Sequence, residues 1–83
     1  MLHLEVITPE RRVFEDDVDM VVAPASEGYV GILPHHAPLL ALLGTGTLTV
    51  RRGGTSSAFR VAGGFLQVVG DSVRAVADRA ENS

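Results

Sequence analysis

Histidine is the side chain best suited to chemistry near neutral pH, and the sequence holds three: His3 by itself and the adjacent pair His35 and His36. Neighbouring residues on an extended chain point to opposite sides. Neither member of the pair has a carboxylate or a further histidine three or four places away, so the spacing of a metal site is missing. A hydrolytic triad would need a serine elbow of the G-x-S-x-G type, and none is present. Glu15, Asp16, Asp17 and Asp19 form an acidic run that could take a cation or a basic partner. Its plainer reading is a solvated sheet edge, whose like charges discourage edge-to-edge pairing. Gly28-x-x-Gly31 has neither the strand-to-helix context nor the lysine of a phosphate cradle, so these glycines are read as backbone geometry. No catalytic residue, cofactor site or metal site is expected.

The composition removes further chemistries. There is no cysteine, which excludes disulfides, thiolate metal sites and a cysteine nucleophile. All seven basic residues are arginine, so phosphate-loop, Schiff-base and lysine-carrier roles are excluded too. A net charge of −3 argues against nucleic acid as a partner. The longest apolar run, Leu39 to Leu43, is far short of the ~20 residues that cross a bilayer, and the N-terminus lacks a secretory pattern. The 83 residues read as one domain spanning 1–83, with room for a single core and with Arg79–Ser83 as a frayed polar tail.

The elements that must position any site are strands. The chain carries 12 valines, 5 threonines and 2 isoleucines, and Gly or Pro interrupts it every eight to ten residues. Leu2, Leu4 and Val6 alternate with His3, Glu5 and Ile7 as the buried face of a first strand. Val13 and Phe14 form a stub; Val18, Met20 and Val22 share a face, and Met20 to Ala23 is a buried strand stopped by Pro24. Tyr29 to Leu33 is a short strand between glycines, followed by the rigid turn Pro34 to Pro38. Leu39 to Leu43 should be buried in a shape that periodicity leaves open. Thr47 to Arg52 and Thr55 to Ala62 pair through Gly53-Gly54, a type I′ turn. Phe65 to Val69 and Ser72 to Ala77 pair through Gly70-Asp71, the last segment fitting helix and strand equally. Phe59, Phe65, Val22 and Leu48 are the expected core between two sheets. This is an all-β domain whose conspicuous surface loop bears Ser26, Glu27, Tyr29, His35 and His36, an aromatic-bearing loop of the kind protein contacts favour.

The stretch from Ser26 through Gly28, Tyr29, Gly31 and Pro34-His35-His36-Ala37-Pro38 to Leu40 closely resembles a signature of the ATP synthase epsilon subunit family, called delta in mitochondria. Thr8-Pro9-Glu10-Arg11, Val18 to Pro24, Val61-Ala62-Gly63-Gly64-Phe65-Leu66 and Val76-Ala77-Asp78 match in the same order. The resemblance implies a flattened β-sandwich of two five-stranded sheets, and it tips Ser72 to Ala77 towards strand. It also implies a non-catalytic rotor-stalk role: contact with the gamma subunit and the membrane c-ring, at the cytoplasmic face of a bacterial plasma membrane, peripheral and with no small-molecule substrate. Ser26, Glu27, Gly28 and Tyr29 carry over as ring contacts, and His36, with His35 beside it, lies near the junction of gamma and ring. Relatives often have an acidic residue where Tyr29 stands and Gly where His35 stands, so the ionic part of the ring contact falls to Glu27. Most bacterial members continue into a helical hairpin that restrains hydrolysis or binds ATP; the 83 residues match only the sandwich and are expected to do neither. The alternative is a free-standing small β-barrel that binds a small ligand or metal through His35, His36 and Glu27.

Overall fold

The computed structural model describes residues 1–82 and contains eight strands and no helix. They are β1 (Leu2–Ile7), β2 (Arg12–Val18), β3 (Met20–Ala25), β4 (Gly28–Ile32), β5 (Leu39–Leu42), β6 (Gly46–Arg52), β7 (Thr55–Val69) and β8 (Ser72–Asn82). Hydrogen bonding is continuous in the order β2-β1-β8-β7-β6-β3-β4, with β5 added on β7.

The pairing nonetheless splits into two layers, because β7 and β8 are long enough to serve both. The second half of β7 pairs with β5 and the first half of β8 pairs with the parallel strand β1, so β2, β1, β8, β7 and β5 make one layer. The first half of β7 pairs with β6, and β6 with β3, so the end of β8, β7, β6, β3 and β4 make the other. Two five-stranded layers thus arise from eight strands, joined through β7 and β8 rather than separate.

The hinge is Gly63-Gly64. Both glycines have positive φ (68° and 106°), and a Cβ on Gly64 would collide with the Val76 carbonyl and sit 2.9 Å from the Ala77 Cα. Only glycine allows β7 to turn this corner against β8. The corner also shifts the alternation of faces. Phe59 and Val61 point inward before it, whereas Leu66 and Val68 do so after it, and Val73, Ala75 and Ala77 give way to Ala80 on β8. Phe65, expected in the core, is therefore turned outward and 40% exposed. Val22 is displaced for a similar reason. The ladder breaks at Asp19, whose N–H donates to the Arg51 carbonyl, and the inward residues become Val21 and Ala23, leaving Met20 and Val22 half-buried on the outer face.

The core unites both layers: Leu2, Leu4, Val6, Val18, Leu66, Val68 and Val73 from one face Val21, Ile32, Leu48, Val50, Phe59 and Val61 from the other. Phe14 reaches across from β2 to Phe59 with ring centroids 5.2 Å apart, closing the open side.

Five further expectations change. The stub at Val13-Phe14 is part of a seven-residue strand with a bulge opposite Val6 and Ile7, so the acidic run lies within edge strand β2. Arg79–Asn82 is strand rather than frayed tail, with Ala80 buried and Asn82 paired with Phe59; Ser83 lies outside the described residues. Leu39 to Leu43 is not uniformly buried: Leu40 and Leu42 are 71% and 66% exposed. In the β6–β7 turn only Gly53 has positive φ (59°), the pattern of a type II′ turn rather than type I′. Pro24 does not stop β3, which runs on to Ala25.

Candidate interaction surface

The six expected contact residues fall into two groups held apart by β4. Ser26 and Glu27 form the β3–β4 turn, closed by the pairing of Ala25 with Gly28, where φ is +129°. The turn is tied to the neighbouring layer by the Ser26 N–H, which donates to the Leu42 carbonyl at 3.1 Å, while Leu43 bridges to Ala25. Glu27 is exposed at its tip and makes no ion pair among the described residues.

His35 and His36 sit at the other end of β4, about 13 Å of strand rise away. His35 has φ +67°, unusual for a residue with a Cβ, and its N–H donates to the Asp71 carboxylate at 3.0 Å. The same Asp71 accepts the His3 N–H through its carbonyl, so one residue of the β7–β8 turn anchors both the β1 strand and the histidine turn. His36 closes that turn by donating from its N–H to the Leu33 carbonyl, and its ring Nδ1 lies 2.6 Å from the Ala37 carbonyl. His35, His36 and Glu27 are not brought together, so the ligand site of the alternative reading is not assembled.

Next to the Ser26 turn begins a surface that alternation in the sequence did not reveal. On the outer face of the first layer, Leu42 pairs with Phe65, Phe65 with Val76, and Val76 with Ile7. This is an apolar row across four strands, roughly 14 Å long. Leu40 and Val69, 71% and 58% exposed, extend it, and Leu40, Ala41, Leu42 and Phe65 line an apolar depression of ≈ 480 Å³. One signal was available: Leu39 to Leu43 is too apolar for a two-faced edge strand unless both faces are covered.

The row beside it is charged. Glu5 on β1 faces Arg74 on β8 and Arg12 on β2, each at 3.4 Å, and Arg12 reaches Glu15 at 2.9 Å. His3 lies between Glu15 (2.9 Å) and Asp17 (3.0 Å), which hold its imidazole above the ordinary histidine value through hydrogen bonds, Asp17 first and then Glu15. His3, Glu5 and Glu15 have donor atoms within 4.8 Å of one another, but Arg12 and Arg74 already engage the carboxylates, so the arrangement is an ion-pair network. Asp16 pairs with Arg52 and Asp19 accepts the Gly53 N–H. The acidic run is thus a neutralised edge.

Two larger hollows are open clefts at the β2 side: one of ≈ 650 Å³, lined by Phe14, Phe59, Ser57 and Asn82 among others, holds no titratable group, and one of ≈ 580 Å³ is lined by Asp16, Asp19 and Arg52, whose charges engage one another or the Gly53 N–H. None of these three hollows holds a histidine or a lysine beside a hydroxyl. What the arrangement offers is contact: an apolar row that starts beside the turn carrying Glu27 and ends at Ile7 opposite Arg12, with the histidine turn held separately at the β7–β8 turn.

Comparison with known proteins gives this surface its context. A family model described as the β-sandwich domain of the ATP synthase delta/epsilon chain matches residues 1–83. The ATP synthase epsilon chain of Solibacter usitatus is 54% identical over 82 residues, covering 99% of this chain and 61% of that protein. That of Roseiflexus sp. is 48% identical, with 99% and 59% covered. The chain thus spans about three-fifths of the length of these curated relatives. Among solved structures, a chain of the Euglena gracilis mitochondrial ATP synthase (OSCP/F1/c-ring) superposes with TM-score 0.91 at 23% identity, covering 98% of this chain and 52% of that one. A chain of the Tetrahymena thermophila central stalk and c-ring does so with TM-score 0.81 at 18% identity, covering 96% and 65%. These structural likenesses establish the sandwich fold.

Proposed function

The chain belongs to the ATP synthase delta/epsilon β-sandwich family, and from that premise we propose that it acts as a non-catalytic piece of the rotor stalk, joining the gamma subunit to the membrane c-ring. Ion-driven rotation of the ring would then reach the catalytic head through this joint. The complex is membrane-associated, and the chain attaches to its cytoplasmic side through the ring without entering the bilayer.

The observation that carries the reading is the outward-facing apolar row Leu42, Phe65, Val76 and Ile7, in which Leu42 and Phe65 are exposed and Val76 and Ile7 half-buried. A domain of this size would otherwise bury such residues, and an apolar strip rimmed by ion pairs is the anatomy of a lasting protein contact. We assign this row and the adjoining His36 turn to gamma. Ser26, Glu27 and Gly28, at the far end of β4, are assigned to the c-ring, where the unpaired Glu27 carboxylate suits a basic loop residue. The ring turn and the His36 turn stand at the two ends of β4, and Leu42 at the head of the row is hydrogen-bonded to the ring turn, so both contacts belong to one rigid unit, which is what a coupling element needs.

The test is co-expression with a cognate gamma subunit followed by size-exclusion chromatography. Wild type should co-elute with gamma; Leu42→Glu and Phe65→Glu should not, while their isolated thermal unfolding stays near wild type because both sites are exposed. Co-elution of both variants with gamma would remove gamma from this face.

A further inference from the structure

Pro24 occupies a position where proline is normally excluded. It lies in β3, which has β4 on one side and β6 on the other, yet a proline has no N–H to give a ladder. Towards β4 the pairing runs to Ala25. Towards β6 it stops at Val22 opposite Thr49. Continuing that register by two residues would set Pro24 against Thr47, so the Thr47 N–H faces a strand whose ladder has ended.

Tyr29 fills the gap. It pairs with Pro24 across β3–β4, and its hydroxyl accepts the Thr47 N–H at 3.3 Å. The ring reaches over Pro24, which is buried although it stands on the outer face of β3, and comes against Gly46. A Cβ on Gly46 would be 2.5 Å from the Tyr29 hydroxyl oxygen and 3.1 Å from the Pro24 Cβ, so the absence of a side chain there is what admits the tyrosine. The Pro24 carbonyl is met elsewhere, by the Gly44 N–H at 2.9 Å.

We propose that Tyr29 is a positioning residue: a side-chain clamp that spans β3 and fastens edge strand β4, with the Ser26–Glu27 turn at its start, to β6 where Pro24 interrupts the ladder. Tyr29 therefore serves the turn from behind, and Glu27 presents the contact. The consequence for the ring rests on the function proposed above; the clamp itself does not.

The experiment is amide hydrogen exchange by NMR on the isolated chain. In Tyr29→Phe, which keeps the ring and removes only the hydroxyl, exchange at Thr47 should quicken by about 2- to 12-fold, the range for loss of one hydrogen bond, while Leu48 and Val50 keep their wild-type rates. Gly46→Ala should reproduce that change by displacing the ring, and its effect should shrink in a Tyr29→Ala background, where there is no ring left to displace. Unchanged Thr47 exchange in Tyr29→Phe, or an equal Gly46→Ala effect in both backgrounds, would overturn the clamp. C-ring binding is measured separately with Glu27→Gln: retained binding there removes the ring assignment and leaves the exchange result to decide on Tyr29.

Discussion

Two phenylalanines six positions apart show how much one side chain's facing matters. Phe59 is 4% exposed and packs against Phe14 with the rings tilted at 58°, whereas Phe65 is turned out. Phe59→Ala should cost about 3–5 kcal/mol in urea unfolding, a large share of what so small a domain has. Phe65→Ala, which empties no cavity, should stay within about 1 kcal/mol. Equal losses would contradict the facing assigned here. His3 provides a second residue-scale prediction. Its value is raised in the folded state, so its bonds to Asp17 and Glu15 contribute stability that is full below the ordinary histidine value of about 6.5 and is lost as pH rises through the folded value. His3→Gln should flatten that part of the stability–pH profile and leave wild type and variant closer at alkaline pH. A profile unchanged by the substitution would deny the linkage.

Strands act through their corners as much as through their lengths. Gly64 combines φ +106° with a Cβ position already occupied by β8 backbone, so Gly64→Ala should destabilise by on the order of 1–3 kcal/mol or more. Gly54 has nothing within 4 Å of its Cβ position and no positive φ, and Gly54→Ala should be neutral to slightly stabilising. Chemical denaturation of the two variants side by side checks the contrast. If both were equally mild, the β7 corner would not be the hinge between layers. Much of this level was legible in the sequence. Strand content, the hairpin turns at Gly53-Gly54 and Gly70-Asp71 and the buried alternation of Leu2, Leu4 and Val6 all follow from local rules. Continuity of β7 through Gly63-Gly64 was not legible, because a glycine pair reads equally as a strand break and as a strand corner.

At the scale of the whole molecule, β7 and β8 belong to both layers and their ladder covers ten residue pairs. Neither layer can therefore unfold while the other stays intact. We expect a single cooperative transition, with Val61, Leu66 and Ala75 amides exchanging only through global opening, and with edge strands β4 and β5 opening at lower free energy. Native-state hydrogen exchange measures both, and a separate early transition of one layer would refute the shared-strand account. The surface follows the same division. Charged pairs neutralise the β2 edge, while Leu42 and Phe65 leave the β5 side apolar and exposed, so the two ends of the first layer differ in chemistry.

What the sequence by itself determined is what depends on near neighbours and on residue inventory. No cysteine and no lysine closed off whole chemistries, β-branched residues between glycines made strands, and the stretch from Ser26 to Leu40 carried the family resemblance that the comparison over residues 1–83 bears out. What only the tertiary structure decided is phase and adjacency. Alternation predicts which residues share a face but not where the count slips, and it slips at Asp19, at Gly63-Gly64 and at Asp78, sending Val22 and Phe65 outward. Leu42, Phe65, Val76 and Ile7 are scattered along the chain and become one row only because four strands lie in register. Tyr29 meets Thr47 only because Pro24 and Gly46, far apart in sequence, leave a gap and a space in the same place. Such long-range coincidences are invisible to a period of two, since they are set by how strands are stacked and not by what any one strand contains.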